Sequence, residues 1–118
     1  MFAKQIQNVV DKIDGSIAGL IMGLDGIALE QYIVPDREFD MNTVGMEFSF
    51  ILTQVRKAGE LLEIGGVSEM VVKAEGLTLV TRMVGDEYFL AVVLGPKANF
   101  GKTRFLMRLA EDKLRPEL

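Results

Sequence analysis

The chain has 118 residues, 49% of them hydrophobic, with a formal net charge of −4 and neither cysteine nor histidine. One domain with a single substantial core fits that length; disulfides, thiolate nucleophiles and cysteine metal sites are excluded, the commonest general base is missing, and an acidic balance without a basic run speaks against nucleic-acid binding. No apolar run reaches membrane-spanning length and Met1-Phe2-Ala3-Lys4 lacks the apolar core of a signal peptide, so a soluble, cytoplasmic chain without membrane insertion is expected.

Phe2, Ile6, Val9, Val10 and Ile13 recur at helical spacing, which predicts a short amphipathic helix closed by Asp14-Gly15. Ser16 to Met22 is apolar on both alternating faces, the pattern of a strand in the middle of a sheet. Gly23-Leu24-Asp25-Gly26 carries the Asp-Gly signal of a hairpin turn. Ile27 to Ile33 returns as an edge strand, marked by Glu30-Gln31 near its end. Val34 to Asp40 is a polar loop containing Pro35. Its last residue, Asp40, is placed to cap a following helix, with Asp36 and Glu38 near that helix's positive end.

Met41 to Ile64 reads as one long helix with two apolar stripes. Val44, Phe48, Ile51, Val55, Ala58, Gly59 and Leu62 form the stripe expected to cover the sheet. Met46, Phe50, Leu61 and Ile64 lie on roughly the opposite side, with Thr53, Gln54 and Lys57 among them; Arg56, Glu60 and Glu63 make a polar edge between the stripes. A surface helix of a monomer needs only one apolar stripe. Full burial of a large apolar side chain is worth about 1.5–3 kcal/mol, so a second contiguous stripe calls for a partner surface.

After Gly65-Gly66 a meander is predicted. Ser68 to Glu75 alternates, with Met70, Val72 and Ala74 on one face and Glu69, Val71, Lys73 and Glu75 on the other, as an edge strand does. It holds no proline and no bulge signal, so it is open to adding a strand from a twin. Gly76 turns the chain into Leu77 to Val84, and Gly85-Asp86-Glu87 turns it again. Tyr88 to Leu94 is apolar throughout and therefore central. Gly95-Pro96 ends that strand, Asn99 to Lys113 is a final helix, and Pro116 lies beyond it. The two buried strands should be neighbours. The expected fold is an α/β domain of the α+β type spanning residues 1–118: a five-stranded, mainly antiparallel sheet in the order 2-1-5-4-3. The long helix covers one face and the two terminal helices the other.

This arrangement resembles the roadblock family of GTPase-associated domains, with their roadblock/profilin-like fold, and more narrowly the bacterial MglB-like members. Two stretches carry the resemblance: the first hairpin, Ile17 to Leu29, and the strand-to-helix junction Leu94-Gly95-Pro96-Lys97-Ala98-Asn99-Phe100-Gly101. The resemblance implies a non-catalytic homodimer that pairs through the long helix and the third strand, joining two sheets. It also implies a Ras-like small GTPase as the partner that is regulated or localised. The residues assigned to the dimer and partner surface are Met46, Phe50, Thr53, Gln54, Lys57, Leu61 and Ile64 on the helix, and Glu69, Val71 and Lys73 on the strand.

Three near-motifs read more simply than they first look. Gly95 to Thr103 follows a strand and opens a helix, as a phosphate loop does. Five residues separate Gly95 from Gly101, however, where that loop needs four to wrap a phosphate in backbone N–H groups. Asp36, Glu38, Asp40, Asn42 and Glu47 mimic a calcium loop, but Met41 stands where glycine is required. Ser16, Ser49 and Ser68 have no histidine base and no nucleophile-elbow frame. No catalytic, cofactor or metal residue is assigned. Phe105 and Leu109 fall away from the Phe100, Met107, Ala110, Leu114 stripe and mark a further contact or a different helix phase. The alternative to a GTPase regulator is a small ligand-sensing or assembly-adaptor domain.

Overall fold

The computed structural model describes residues 2–118. In chain order it contains α1 (Phe2–Asp11), β1 (Ser16–Gly23), β2 (Ala28–Ile33), α2 (Met41–Leu61), β3 (Glu69–Lys73), β4 (Thr78–Val84), β5 (Tyr88–Leu94) and α3 (Phe100–Leu114), followed by a 3-10 turn over Arg115–Glu117. The strands form one antiparallel sheet in the order β2-β1-β5-β4-β3, as expected, with β2 and β3 at its edges.

Strand alternation decides how the sheet is covered. On β5, Leu90, Val92 and Leu94 pack with Ile6, Val9 and Val10 of α1 and with Met107, Ala110 and Leu114 of α3. Phe89, Ala91 and Val93 face the other way, towards Met41 and Leu52 of α2 and beside Leu20 and Met22 of β1. Thus β1 and β5 are buried on both faces, the reason their sequences do not alternate. Gly19 in the middle of β1 is needed for close approach: a methyl there would lie 2.7 Å from Ile6 Cγ2 and 2.9 Å from Val10 Cγ2. The turn from β1 to β2 is closed by Asp25, whose Oδ1 accepts from the Ile27 N–H at 3.0 Å. The Leu24 N–H donates to the Glu87 carbonyl at 2.8 Å, tying this turn to the one between β4 and β5.

The long helix departs from the sequence reading in phase and in length. Its buried positions are Met41, Gly45, Ser49, Leu52 and Gly59. Val44, Phe48 and Val55 are half-buried, whereas Ile51, Ala58 and Leu62, expected to cover the sheet, are exposed. The helix is turned by nearly one residue because Gly45, which lets it sit close on Leu20 and Met22, faces β1, with Met41, Ser49, Leu52 and Gly59 on the same buried side. It also ends at Leu61 rather than Ile64. Glu63 takes a left-handed conformation (φ 57°), its N–H donates to the Glu60 carbonyl at 3.1 Å, and the Ile64 N–H reaches back to the Gly59 carbonyl at 3.2 Å. Those two bonds satisfy carbonyls that a helix end otherwise leaves open. At the other end Asp40 caps the helix as expected, accepting from the Thr43 N–H at 3.0 Å and the Thr43 hydroxyl at 2.7 Å. Arg56, read as part of the polar edge between the stripes, is half-buried and donates to the Asp86 carbonyl at 3.0 Å.

Candidate protein–protein interface

With Met41, Gly45, Ser49, Leu52 and Gly59 on the core side of α2, other large apolar side chains of the helix are left outside. Phe50, Gln54 and Leu61 follow one line along the helix, and Glu47, Ile51, Ala58 and Leu62 the adjoining line, at helical spacing. Phe50 is 63% exposed and Leu61 86%. Of eleven exposed large hydrophobic side chains among the described residues, six lie on α2 or in its C-terminal cap: Met46, Phe50, Ile51, Leu61, Leu62 and Ile64. That concentration makes a patch rather than the usual scatter of single exposed apolar residues.

The residues assigned from sequence fall as follows. Met46, Phe50, Gln54, Lys57 and Leu61 are exposed on α2, and Ile64 is exposed just beyond its cap. Thr53 is half-buried and spends its hydroxyl on the Ser49 carbonyl at 2.9 Å. Sequence reasoning missed Ile51, Ala58 and Leu62, which it placed against the sheet. A signal for them was present: Gly45, Ser49 and Gly59 line up on one face and mark where the helix comes closest to its neighbours.

Among the described residues the third strand pairs only with β4. The Ser68 carbonyl accepts from the Met83 N–H at 2.9 Å, and the Ala74 N–H donates to the Leu77 carbonyl at 2.9 Å. Antiparallel ladders alternate bonded and non-bonded pairs, so the even-numbered residues of this strand bond inward. The backbone N–H and C=O of Glu69, Val71 and Lys73 therefore point to the open edge. Their side chains lie on the face that carries α1 and α3. Glu69 accepts from Arg82 at 3.2 Å and from Arg104 at 2.7 Å, Val71 packs on the core beneath those helices, and Lys73 Nζ stands 5.6 Å from the centre of the Phe100 ring. Arg82 also pairs with Glu111, which pairs in turn with Arg115. Val67, just before β3, packs beside Gly59 on the buried side of α2.

The strand-to-helix junction is self-contained. Asn99 Oδ1 accepts from the Lys102 N–H at 2.9 Å, and the buried Thr103 hydroxyl donates to the Asn99 carbonyl at 2.8 Å. The Gly95 N–H goes to the Gly15 carbonyl at 2.8 Å. Asn99 thus fills the helix start that a phosphate would need. Among the described residues no three Asp or Glu side chains gather into a group that could hold a metal ion, and no helix is long and apolar enough to cross a membrane.

Fold and surface together define a small α+β domain with an outward apolar face on α2 and an open strand edge at β3. No family model and no curated protein matches the sequence. Solved structures do. The chain is 37% identical to MglC from Myxococcus xanthus, over 99% of this chain and 98% of that one, with a TM-score of 0.72. It superposes on a Roadblock/LC7 domain from Streptomyces avermitilis with a TM-score of 0.87 at 20% identity, over 98% and 95% of the two chains. With the gliding protein MglB from Thermus thermophilus the TM-score is 0.88 at 16% identity, over 98% and 86%. The chain belongs to the roadblock family of regulatory, GTPase-associated domains.

Proposed function

We propose that this chain is a non-catalytic, cytoplasmic homodimer that binds a Ras-like small GTPase and modulates its nucleotide cycle or its localisation. The observation that carries the reading is the outward α2 face from Met46 to Ile64, large and apolar on a helix whose core side is already filled. Two copies could bury Phe50, Ile51, Leu61 and Leu62 against each other, and each such side chain fully buried is worth about 1.5–3 kcal/mol. The open edge at Glu69, Val71 and Lys73 supports the same arrangement, because backbone pairing with a second β3 would extend the sheet. Membership of the roadblock family supports the GTPase as partner. A relative solved in a tetrameric arrangement, MglB, shares this fold at 16% identity.

The test is capture of partners from native lysate on the tagged full chain, with GDP or a non-hydrolysable GTP analogue added, read by mass spectrometry. Enrichment of a small GTPase in one nucleotide state supports the reading and sets the sign of the coupling. Recovery of a clean dimer with no GTPase in either state moves the function to an assembly adaptor.

A further inference from the structure

The last helix carries a second surface, on the opposite face of the sheet from α2. Thr103, Met107, Ala110, Glu111 and Leu114 face the core. On the far side of the helix Phe105 is 57% exposed and Leu109, one turn on, 45%. Arg104 and Arg108 run along one flank of this pair, Lys102 and Lys113 along the other. Residues 97–115 carry six Lys or Arg against only Glu111 and Asp112, a local charge of +4 in a chain of net −4. Glu111 is buried and already paired, so Asp112 is the one exposed carboxylate of α3. Among the described residues Lys102, Arg108 and Lys113 make no ion pair. Grooves border the ridge on both sides. One, towards β3, is lined by Arg82, Arg104, Phe105 and Arg108 with Glu69; the other, against α1, by Lys12, Leu109 and Lys113.

We infer that this ridge docks an acidic amphipathic segment of a partner protein. The segment sets carboxylates on Lys102, Arg108 and Lys113 and rests apolar side chains on Phe105 and Leu109. Charge decides the partner. A short acidic segment meets only the charges beside the ridge, the +4 of residues 97–115 together with Arg82, Lys12 and Glu69 in the grooves, since charges farther off than a Debye length of about 8 Å are screened. A long polyanion or a charged bilayer meets the net −4 as well. Two apolar side chains also bury too little to hold a lipid surface. Because this surface and the α2 face lie on opposite sides of the sheet, both can be occupied at once.

The test uses the full chain and a fluorescent peptide of about 16 residues, some four helical turns, with Glu and Leu arranged on opposite faces. Controls are a scrambled peptide of the same composition and vesicles of phosphatidylcholine with phosphatidylserine. Anisotropy should show the amphipathic peptide binding in preference to the scrambled one, with affinity falling as salt rises. Arg108→Glu combined with Lys113→Glu should weaken it about tenfold, and Phe105→Ser by a similar factor, with circular dichroism and solution mass unchanged. Equal binding of the scrambled peptide, affinities unmoved by these exposed substitutions, no binding at about 1 mM peptide, or vesicle binding tighter than peptide binding would each overturn the inference.

Discussion

A methyl group on Gly45 would lie 2.3 Å from Leu20 Cδ2, so α2 rests on β1 at a distance where any side chain at that position must displace the buried Leu20. Met22 Cε would be 2.8 Å away, and Leu20 and Met22 are both fully buried. This contact sets the phase of the helix and hence which of its large residues face outward.

Gly45→Val should therefore destabilise the fold by about 1–3 kcal/mol through overpacking, beyond the small gain in helix propensity. Urea unfolding of the variant against the parent chain measures it. Stability equal to the parent would mean that Leu20 and Met22 yield freely and that Gly45 does not hold the helix phase.

Phe50→Glu should lower the solution mass from dimer to monomer while far-ultraviolet dichroism stays native, because Phe50 contributes little to the core. The monomer's own stability should move by no more than ~0.5 kcal/mol. Leu62→Glu should act in the same direction, although its position in the sequence looks like core. A native-like dimer in both variants would count against α2 as the twin contact.

A contrast within β3 tests the edge. Val71 directs its N–H outward and Val72 directs its N–H to β4. Val71→Pro should leave the β3–β4 ladder bonded and block pairing with a second strand, whereas Val72→Pro breaks the ladder itself. Thermal melting should fall further in Val72→Pro, by several degrees, which for a domain of this size corresponds to about 1 kcal/mol. Equal melting points would show that the inward and outward assignment is wrong.

Exposed Asp40 and half-buried Tyr32 each make a pH-dependent contribution to stability. The Thr43 hydroxyl, and after it the Thr43 N–H, hold the Asp40 carboxyl below its ordinary value of 3.8. A depressed folded value means that the cap stabilises fully above about pH 3.8 and fades as pH falls through the folded value. Tyr32 behaves in the opposite sense. Its hydroxyl donates to Asp11 Oδ1 at 2.7 Å, and this bond, then burial, then the Asp11 charge raise its pKa above 10.0. That contribution is present below about pH 10 and is lost as pH rises through the folded value. Asp40→Ala should thus melt below the parent chain at neutral pH and converge with it in acid. Tyr32→Phe should converge with it only in alkali. Melting curves collected across pH check both.

Much of the architecture was legible before any coordinates. The unbroken apolar character of β1 and β5 marks strands buried on both faces, the alternation in β3 marks an edge, and those three facts order the sheet. Asp25-Gly26 and Asp40 act through local hydrogen bonds that neighbouring residues specify, so their roles could be read directly. The candidate interface was legible in part. Met46, Phe50 and Leu61 stand outside as their spacing predicts, and Ile64 does so from the loop beyond the helix.

The sequence by itself determined the elements, the central strands and the surplus of large apolar residues on α2, because periodicity and turn chemistry act over a few residues. Only the tertiary structure decided which side of α2 meets the sheet. Hydrophobic periodicity favours the face with the largest side chains, and that rule placed Ile51, Ala58 and Leu62 inside. Close approach of the helix to Leu20 and Met22 instead selects the face with Met41, Gly45, Ser49 and Leu52, and Ile51, Ala58 and Leu62 turn outward. The early end of the helix has the same kind of cause. Glu63 adopts a left-handed conformation that its side chain does not announce, because Ile64 and Glu63 there satisfy the carbonyls of Gly59 and Glu60.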